Sequence, residues 1–386
     1  MTTRQPKRGS IAIVGAAESD LGEVAPGMTP IDLMAQGVVR ALRDCGLALK
    51  DIDGVFAASG QSRAPTQALS EYLRLEPRYQ DSSMSGGSVF ESMVMHAQGA
   101  IEAGLCEVAV IAYGSTQRSA TGKLVTTRAY DPFVSPYDPR MPASAYALAA
   151  SRHMHQYGTT REQLAEVAVA ARKWALLNPQ AWEKTPLTID EVLASRMVSS
   201  PLTVRDCCLV TDGGGAVILT SAERARDLRR PPVYVLGVGD AISHQEIHSM
   251  RDLTVTAAVE SGNAAYDMAG IGPADVDVVE VYDAFTINTI LFLEDLGFCA
   301  KGEGGHFVAG SRIAPGGALP VNTNGGGLSY CHPGMYGLLL LIEAVRQLRG
   351  ECGPRQVAGT EIALAHGNGG TLSSQATVIL GSASAR

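Results

Sequence analysis

Short β-branched runs alternate with segments of helical apolar spacing along almost the whole chain. This alternation constrains the fold most, because strands joined by crossover helices build an α/β sheet rather than a sandwich or a bundle. The first strand is read at Ile11-Ala12-Ile13-Val14. Thr29 then offers an N-cap oxygen, Pro30 takes the first helical position, and Met34, Val38, Leu42 and Cys45 trace one apolar face up to a stop at Gly46. A strand follows at 54–57. The next helix starts near Gly87 and Ser88, buries Phe90, Val94, Ala97 and Ile101, and ends at Gly104. Strand 108–113 comes directly after it, and strand 216–220 closes this half.

Between Ser115 and Gly215 lie roughly 100 residues, too many for a plain loop, so an inserted structured segment is expected over 115–215. Within it Thr159 and Glu162 fit a capping box, and Leu164, Val167, Ala168, Ala171 and Trp174 form one stripe. The plan then repeats. Residues 276–280 echo 52–56, and 378–383 echo 217–222, which suggests two similar halves, 1–230 and 231–386. With 42 glycines and 5% aromatic residues, close approach of elements rather than ring stacking is the expected packing style.

A hydrophobic fraction of 46% with 18% charged residues excludes a disordered chain. The net charge of -8 argues against nonspecific binding to nucleic acid or anionic lipid. No run of about 18 apolar residues is present, and the first eight residues lack the apolar stretch of a secretion signal, so no membrane span and a cytoplasmic location are expected. The seven cysteines hold no C-x-x-C pair, which argues against a metal site or a disulfide framework. Cys207 and Cys208 are read as core packing.

Chemistry concentrates in four segments. Gly325-Gly326-Gly327-Leu328-Ser329-Tyr330-Cys331-His332-Pro333-Gly334 delivers one histidine into a proline-fixed turn, as an acid/base group needs. Met84-Ser85-Gly86-Gly87-Ser88 opens a helix, with its serines read as capping groups. Tyr282-Asp283-Ala284-Phe285 follows strand 278–281 directly. Ala365-His366-Gly367-Asn368-Gly369-Gly370 precedes a glycine turn.

In this order the segments resemble those of the thiolase superfamily, and Ser200-Pro201-Leu202-Thr203-Val204-Arg205-Asp206-Cys207-Cys208 with 211–216 resembles the sterol-carrier-protein type. The resemblance implies the thiolase fold, a duplicated five-layer α-β-α-β-α architecture with an inserted loop domain. It implies an oxyanion role for His332 and for Tyr282, where the family keeps asparagine or histidine, and a proton-transfer role for His366, where it keeps a cysteine. Gly86, Gly87, Gly369 and Gly370 are expected to supply backbone donors. Met84 stands where the family has its nucleophilic cysteine, and a thioether forms no acyl-enzyme. A phenol serves as an acid/base if its neighbours lower its ordinary value near ~10.

Losing the nucleophile while keeping acid/base groups and oxyanion donors suits retro-aldol cleavage of a 3-hydroxyacyl-CoA, as in thiolase-like aldolases of steroid side-chain degradation. The segment 343–350 is similar to that branch. No cofactor is expected beyond the CoA thioester itself, no metal is expected, and the partners implied are a second copy of the chain and a small OB-fold protein. Two alternatives stay open: thiolytic acyl transfer through Cys331 or a serine, and a noncatalytic acyl-CoA or lipid binder. Arg118, Lys123, Arg128 and Arg140 are candidate contacts for CoA phosphates, against the alternative of solvated surface charge.

Overall fold

Thr29 caps the first helix as its sequence requires. Its hydroxyl accepts the Asp32 N–H at 3.2 Å, Asp32 returns a bond to the Thr29 N–H at 2.8 Å, and Gly46 closes the helix with φ 81°. A computed structural model describes residues 7–122 and 132–386. The strands that matter for the site are β1 (Ile11–Glu18), β2 (Gly54–Ala57), β3 (Tyr79–Asp81), β4 (Val108–Ser115), β5 (Gly213–Ser221), β6 (Val233–Ile242), β7 (Val278–Val281), β8 (Ile362–Gly369) and β9 (Ser374–Gly381). They form one nine-stranded sheet in the order β3-β2-β4-β5-β1-β6-β9-β8-β7.

The order mirrors itself about the β1–β6 junction. β2 pairs with β4 in parallel and β4 with β5 antiparallel; β7 pairs with β8 in parallel and β8 with β9 antiparallel. The junction is narrow, with Ala12 and Ile13 of β1 opposite Tyr234 and Val233 of β6.

Helices cover and divide the sheet. α1 (Pro30–Cys45) packs on β1, β4 and β5, and α5 (Ala258–Ala269) packs on β6 and β9. Between the halves, α2 (Val89–Glu102) and α7 (Gly337–Arg349) touch each other and strands from both sides. Both are nearly enclosed, so α7 reads as a continuous apolar run, Leu338-Leu339-Leu340-Leu341-Ile342, while α2 buries Glu91, Ser92 and Gln98 beside its apolar residues. Gly350 ends α7 with φ 72°.

The inserted segment is structured, as its length demanded. It carries α3 (Ala143–Tyr157) and α4 (Arg161–Leu176). The capping box of α4 uses Thr160 and Gln163, one residue later than Thr159 and Glu162; the Thr159 hydroxyl bonds His153 Nδ1 at 2.8 Å instead. That histidine fastens the insertion to the second half, where α6 (Thr286–Asp295) presents Glu294 3.0 Å from His153 Nε2, with Lys301 3.1 Å away.

Candidate active site

The glycine run gains its shape from a buried carboxylate. Gly325 and Gly326 adopt φ 107° and 65°, and a Cβ on Gly326 would fall 2.0 Å from an Asp283 oxygen, so glycine alone fits there. Asp283 accepts the Gly327 N–H at 2.6 Å and lies fully buried beside β7. The turn then delivers residue 332, whose N–H bonds Thr211 Oγ1 at 2.9 Å and whose carbonyl accepts Gln117 Nε2 at 2.7 Å.

Tyr282 leaves the end of β7 on the other side of this turn. Its hydroxyl lies 3.1 Å from His332 Nε2 and 3.2 Å from the Gly334 carbonyl, and it accepts the Tyr336 N–H at 3.1 Å. The two rings meet edge to face with centroids 5.6 Å apart. Gly87 makes room for the phenol: a Cβ there would sit 2.1 Å from Tyr282 Cε2. No described residue bonds His332 Nδ1, although that atom is buried.

Burial sets the electrostatics. It holds His332 well below its ordinary value, at about 4, so the ring is neutral at physiological pH. Burial, then the nearby Cys208, pushes the Tyr282 phenol well above its usual range, opposite to the lowering that an ionising acid/base phenol needs. Tyr282 is therefore a protonated donor, and the pair is neutral as a whole.

Burial also raises Asp283 to about 7 against the pull of the Gly327 and Leu328 N–H groups. A carboxyl raised on folding stabilises the fold fully below its unfolded value near 3.8, and that contribution is lost as pH rises through about 7. Relative to Asp283→Asn, the protein is expected to lose up to about 1.4 kcal/mol of unfolding free energy per pH unit between pH 4 and 7, then no more. Urea midpoints of both proteins across that range check this, and parallel profiles would contradict it.

Tyr282 and His332 line a cavity of about 550 Å³, together with Met84, Gly86, Gly87 and Gly370. Met84 is 55% exposed and lines the cavity from the segment ahead of α2. The serines behind it do not cap that helix: Ser88 sits at the N-cap without a capping bond and instead donates to Ser374 Oγ at 2.9 Å.

Two expected members lie elsewhere. His366 is fully buried in β8 against Phe292, with Nδ1 2.9 Å from Thr377 Oγ1 and Nε2 3.0 Å from Gln375 Oε1; it does not line the cavity. Burial lowers it to about 3. For His366 the reason is one of depth, since the strand reaches the cavity only through Asn368 and the turn after it. Gly369 also stays out, because it faces the side of the strand opposite to Asn368, against Ser85 and Ser88.

Residues missed from the sequence fill the gap. Tyr146 of α3 lines the cavity and stacks on Phe285 at 4.4 Å, but it sits in an alanine-rich helix with no motif around it. Cys208 packs against the core as read, and it lines the cavity too. Burial and then Cys207 and Asp283 raise that thiol well above its ordinary value, so it stays protonated. Cys331 is enclosed away from the cavity, bonded to Thr211 Oγ1 at 3.1 Å and raised to about 12 by burial.

Of the candidate CoA contacts, Arg118 pairs with Glu23 at 3.0 Å and stacks on Trp182, and Arg140 is exposed; Lys123 and Arg128 lie outside the described residues. Among the described residues, no three His, Cys, Asp or Glu side chains gather as a metal set would.

Comparison with known proteins adds three kinds of likeness. Residues 239–382 match the family described as Thiolase C-terminal domain-like. The chain is 35% identical to an acetyl-CoA acetyltransferase of Methanothermobacter thermautotrophicus, over 94% of this chain and 96% of that protein. It is 34% identical to the 17-hydroxy-3-oxo-4-pregnene-20-carboxyl-CoA lyase of Mycobacterium tuberculosis, over 92% and 95%. Among solved structures, the Ltp2-ChsH2(DUF35) aldolase superposes with a TM-score of 0.88 at 30% identity, covering 98% of this chain and 99% of that one.

Proposed function

The chain belongs to the thiolase superfamily, in its sterol-carrier-protein-like part, and we propose that it cleaves the carbon–carbon bond of a 3-hydroxyacyl-CoA by a retro-aldol reaction. One observation carries the proposal: a phenol and an imidazole 3.1 Å apart in a cavity whose nucleophile position holds a thioether. The likeness to a CoA-ester lyase and to an aldolase supports the same reaction.

The proton path follows from the pair's neutrality. As the substrate hydroxyl gives its proton to Tyr282 Oη, Tyr282 passes its own to His332 Nε2, so no free phenolate forms. The Tyr336 N–H steadies the charge that develops on the phenol oxygen. The bond between the α- and β-carbons breaks, its electron pair becomes the thioester enolate, and the β-carbon leaves as an aldehyde or ketone. The proton on the pair then returns to the α-carbon, which restores both residues. Gly86, Gly87 and Gly370, which line the cavity, supply the backbone N–H groups for the enolate oxygen.

Cys208 supports a second reading, acyl transfer, which the likeness to an acetyltransferase also favours. The two differ in one product. Under the retro-aldol reading, protein incubated with a 3-hydroxyacyl-CoA releases a carbonyl compound and a shortened acyl-CoA, and its intact mass is unchanged. An acyl adduct on Cys208 would favour the second.

A homodimer and a small OB-fold partner belong to the same proposal. β3 ends the sheet and leaves one edge without a strand among the described residues, a surface that a second copy would cover. The partner named in the Ltp2-ChsH2(DUF35) aldolase supports an accessory subunit. No described helix is long and apolar enough to cross a membrane. A cytoplasmic location completes the proposal.

A further inference from the structure

We propose that Tyr146 is a second hydrogen-bond donor to the reacting thioester oxygen, and that His366 is a positioning residue acting on it through Gln375 and Asn368. The inference deepens the retro-aldol reading and rests on it for its kinetic consequence.

The chain of bonds runs in one direction. Gln375 Oε1 is a carbonyl oxygen and only accepts, so the His366 Nε2 facing it at 3.0 Å carries the ring proton. His366 Nδ1 is then bare, and it accepts the Thr377 hydroxyl at 2.9 Å. Gln375 passes the polarity on by donating Nε2–H to Asn368 Oδ1 at 2.8 Å, and Asn368 donates Nδ2–H to Tyr146 Oη at 2.9 Å. Tyr146 gives its own O–H to the Gly370 carbonyl at 3.2 Å.

The register of β8 and β9 builds this array. His366 stands opposite Thr377 and Asn368 opposite Gln375, so four polar side chains from two adjacent strands meet inside the core. All four are at most 3% exposed. The network reaches the cavity through Asn368 and the Tyr146 hydroxyl, both of which line it. An N–H donated into a phenol oxygen polarises its O–H and makes it a stronger donor, most of all where water is excluded. In this proposal Tyr146 exchanges its 3.2 Å bond to the Gly370 carbonyl for one to an oxyanion that develops beside Gly370. Asn368 and the Phe285 stack hold the ring while it does so.

Tyr146→Phe keeps the stack and removes only the hydroxyl. It is expected to lower kcat by roughly 10²- to 10³-fold, the loss usual for one oxyanion donor, with KM changed by less than about threefold. Gln375→Leu leaves Tyr146 in place and cuts it off from His366, and is expected to lower kcat about tenfold with KM unchanged. A readout without turnover accompanies both: in protein with ring-13C tyrosine, the Cζ signal of Tyr146, identified by its loss in Tyr146→Phe, moves upfield in Gln375→Leu. A stationary signal in folded Gln375→Leu protein, or full turnover by Tyr146→Phe, would overturn the inference. If the unaltered protein cleaves no 3-hydroxyacyl-CoA, the reaction reading falls, and the carbon signal alone decides whether the relay polarises Tyr146.

Discussion

Replacing Tyr282 with phenylalanine is expected to reduce kcat for 3-hydroxyacyl-CoA cleavage by roughly 10²- to 10⁴-fold, the range typical of a positioned acid/base group, while KM stays within a few-fold. The phenol oxygen accepts the Tyr336 N–H, and its single proton lies within reach of two acceptors, the Gly334 carbonyl and His332 Nε2. The ring itself is held by Gly87 and by edge contacts with His332 and Tyr336, all of which phenylalanine keeps. Substrate binding should therefore survive. The variant leaves the Tyr336 N–H and Gly334 carbonyl short of a partner, at about 1–3 kcal/mol each when no water replaces it, so unfolding has to be measured beside the rate. Unchanged kcat in folded Tyr282→Phe protein would remove this residue from the chemistry.

His332→Ala is expected to cut kcat by about 10²- to 10⁴-fold as well, because the proton leaving the hydroxyl loses its destination. The turn should persist, since the peptide of residue 332 is fixed by Thr211 and Gln117 rather than by the imidazole. If the two side chains act as one unit, the double variant Tyr282→Phe with His332→Ala should be no slower than the worse single one. Multiplying losses would mean that they act independently. Kinetics on the four proteins with a single substrate decide between these outcomes.

Much of this site was legible in the sequence because it lies at the ends of elements. Glycine runs, a His-Pro step and a strand end at Val281 mark places where the chain must turn, and those places converge on the cavity. Interior positions were harder. His366 and Asn368 sit two apart on one strand, so both point the same way, but only the second is close enough to the strand's end to reach the cavity. Spacing says which face a residue takes and not how deep it lies. Tyr146 carried no motif at all, since its role depends on an inserted helix packing against Phe285 about 140 residues later in the chain. Cys208 packs against the core as read, and its edge on the cavity arises only when Tyr282 and Tyr146 arrive from elsewhere.

The most direct test follows both products and protein mass in one reaction: the purified chain, alone and with an accessory subunit, is given a 3-hydroxyacyl-CoA labelled on either side of the α–β bond. Release of a labelled aldehyde or ketone with a shortened acyl-CoA, and no mass gain on the protein, is the result expected of a neutral phenol–imidazole pair. A covalent acyl group on Cys208, or carbonyl release that survives the loss of both Tyr282 and His332, would contradict it.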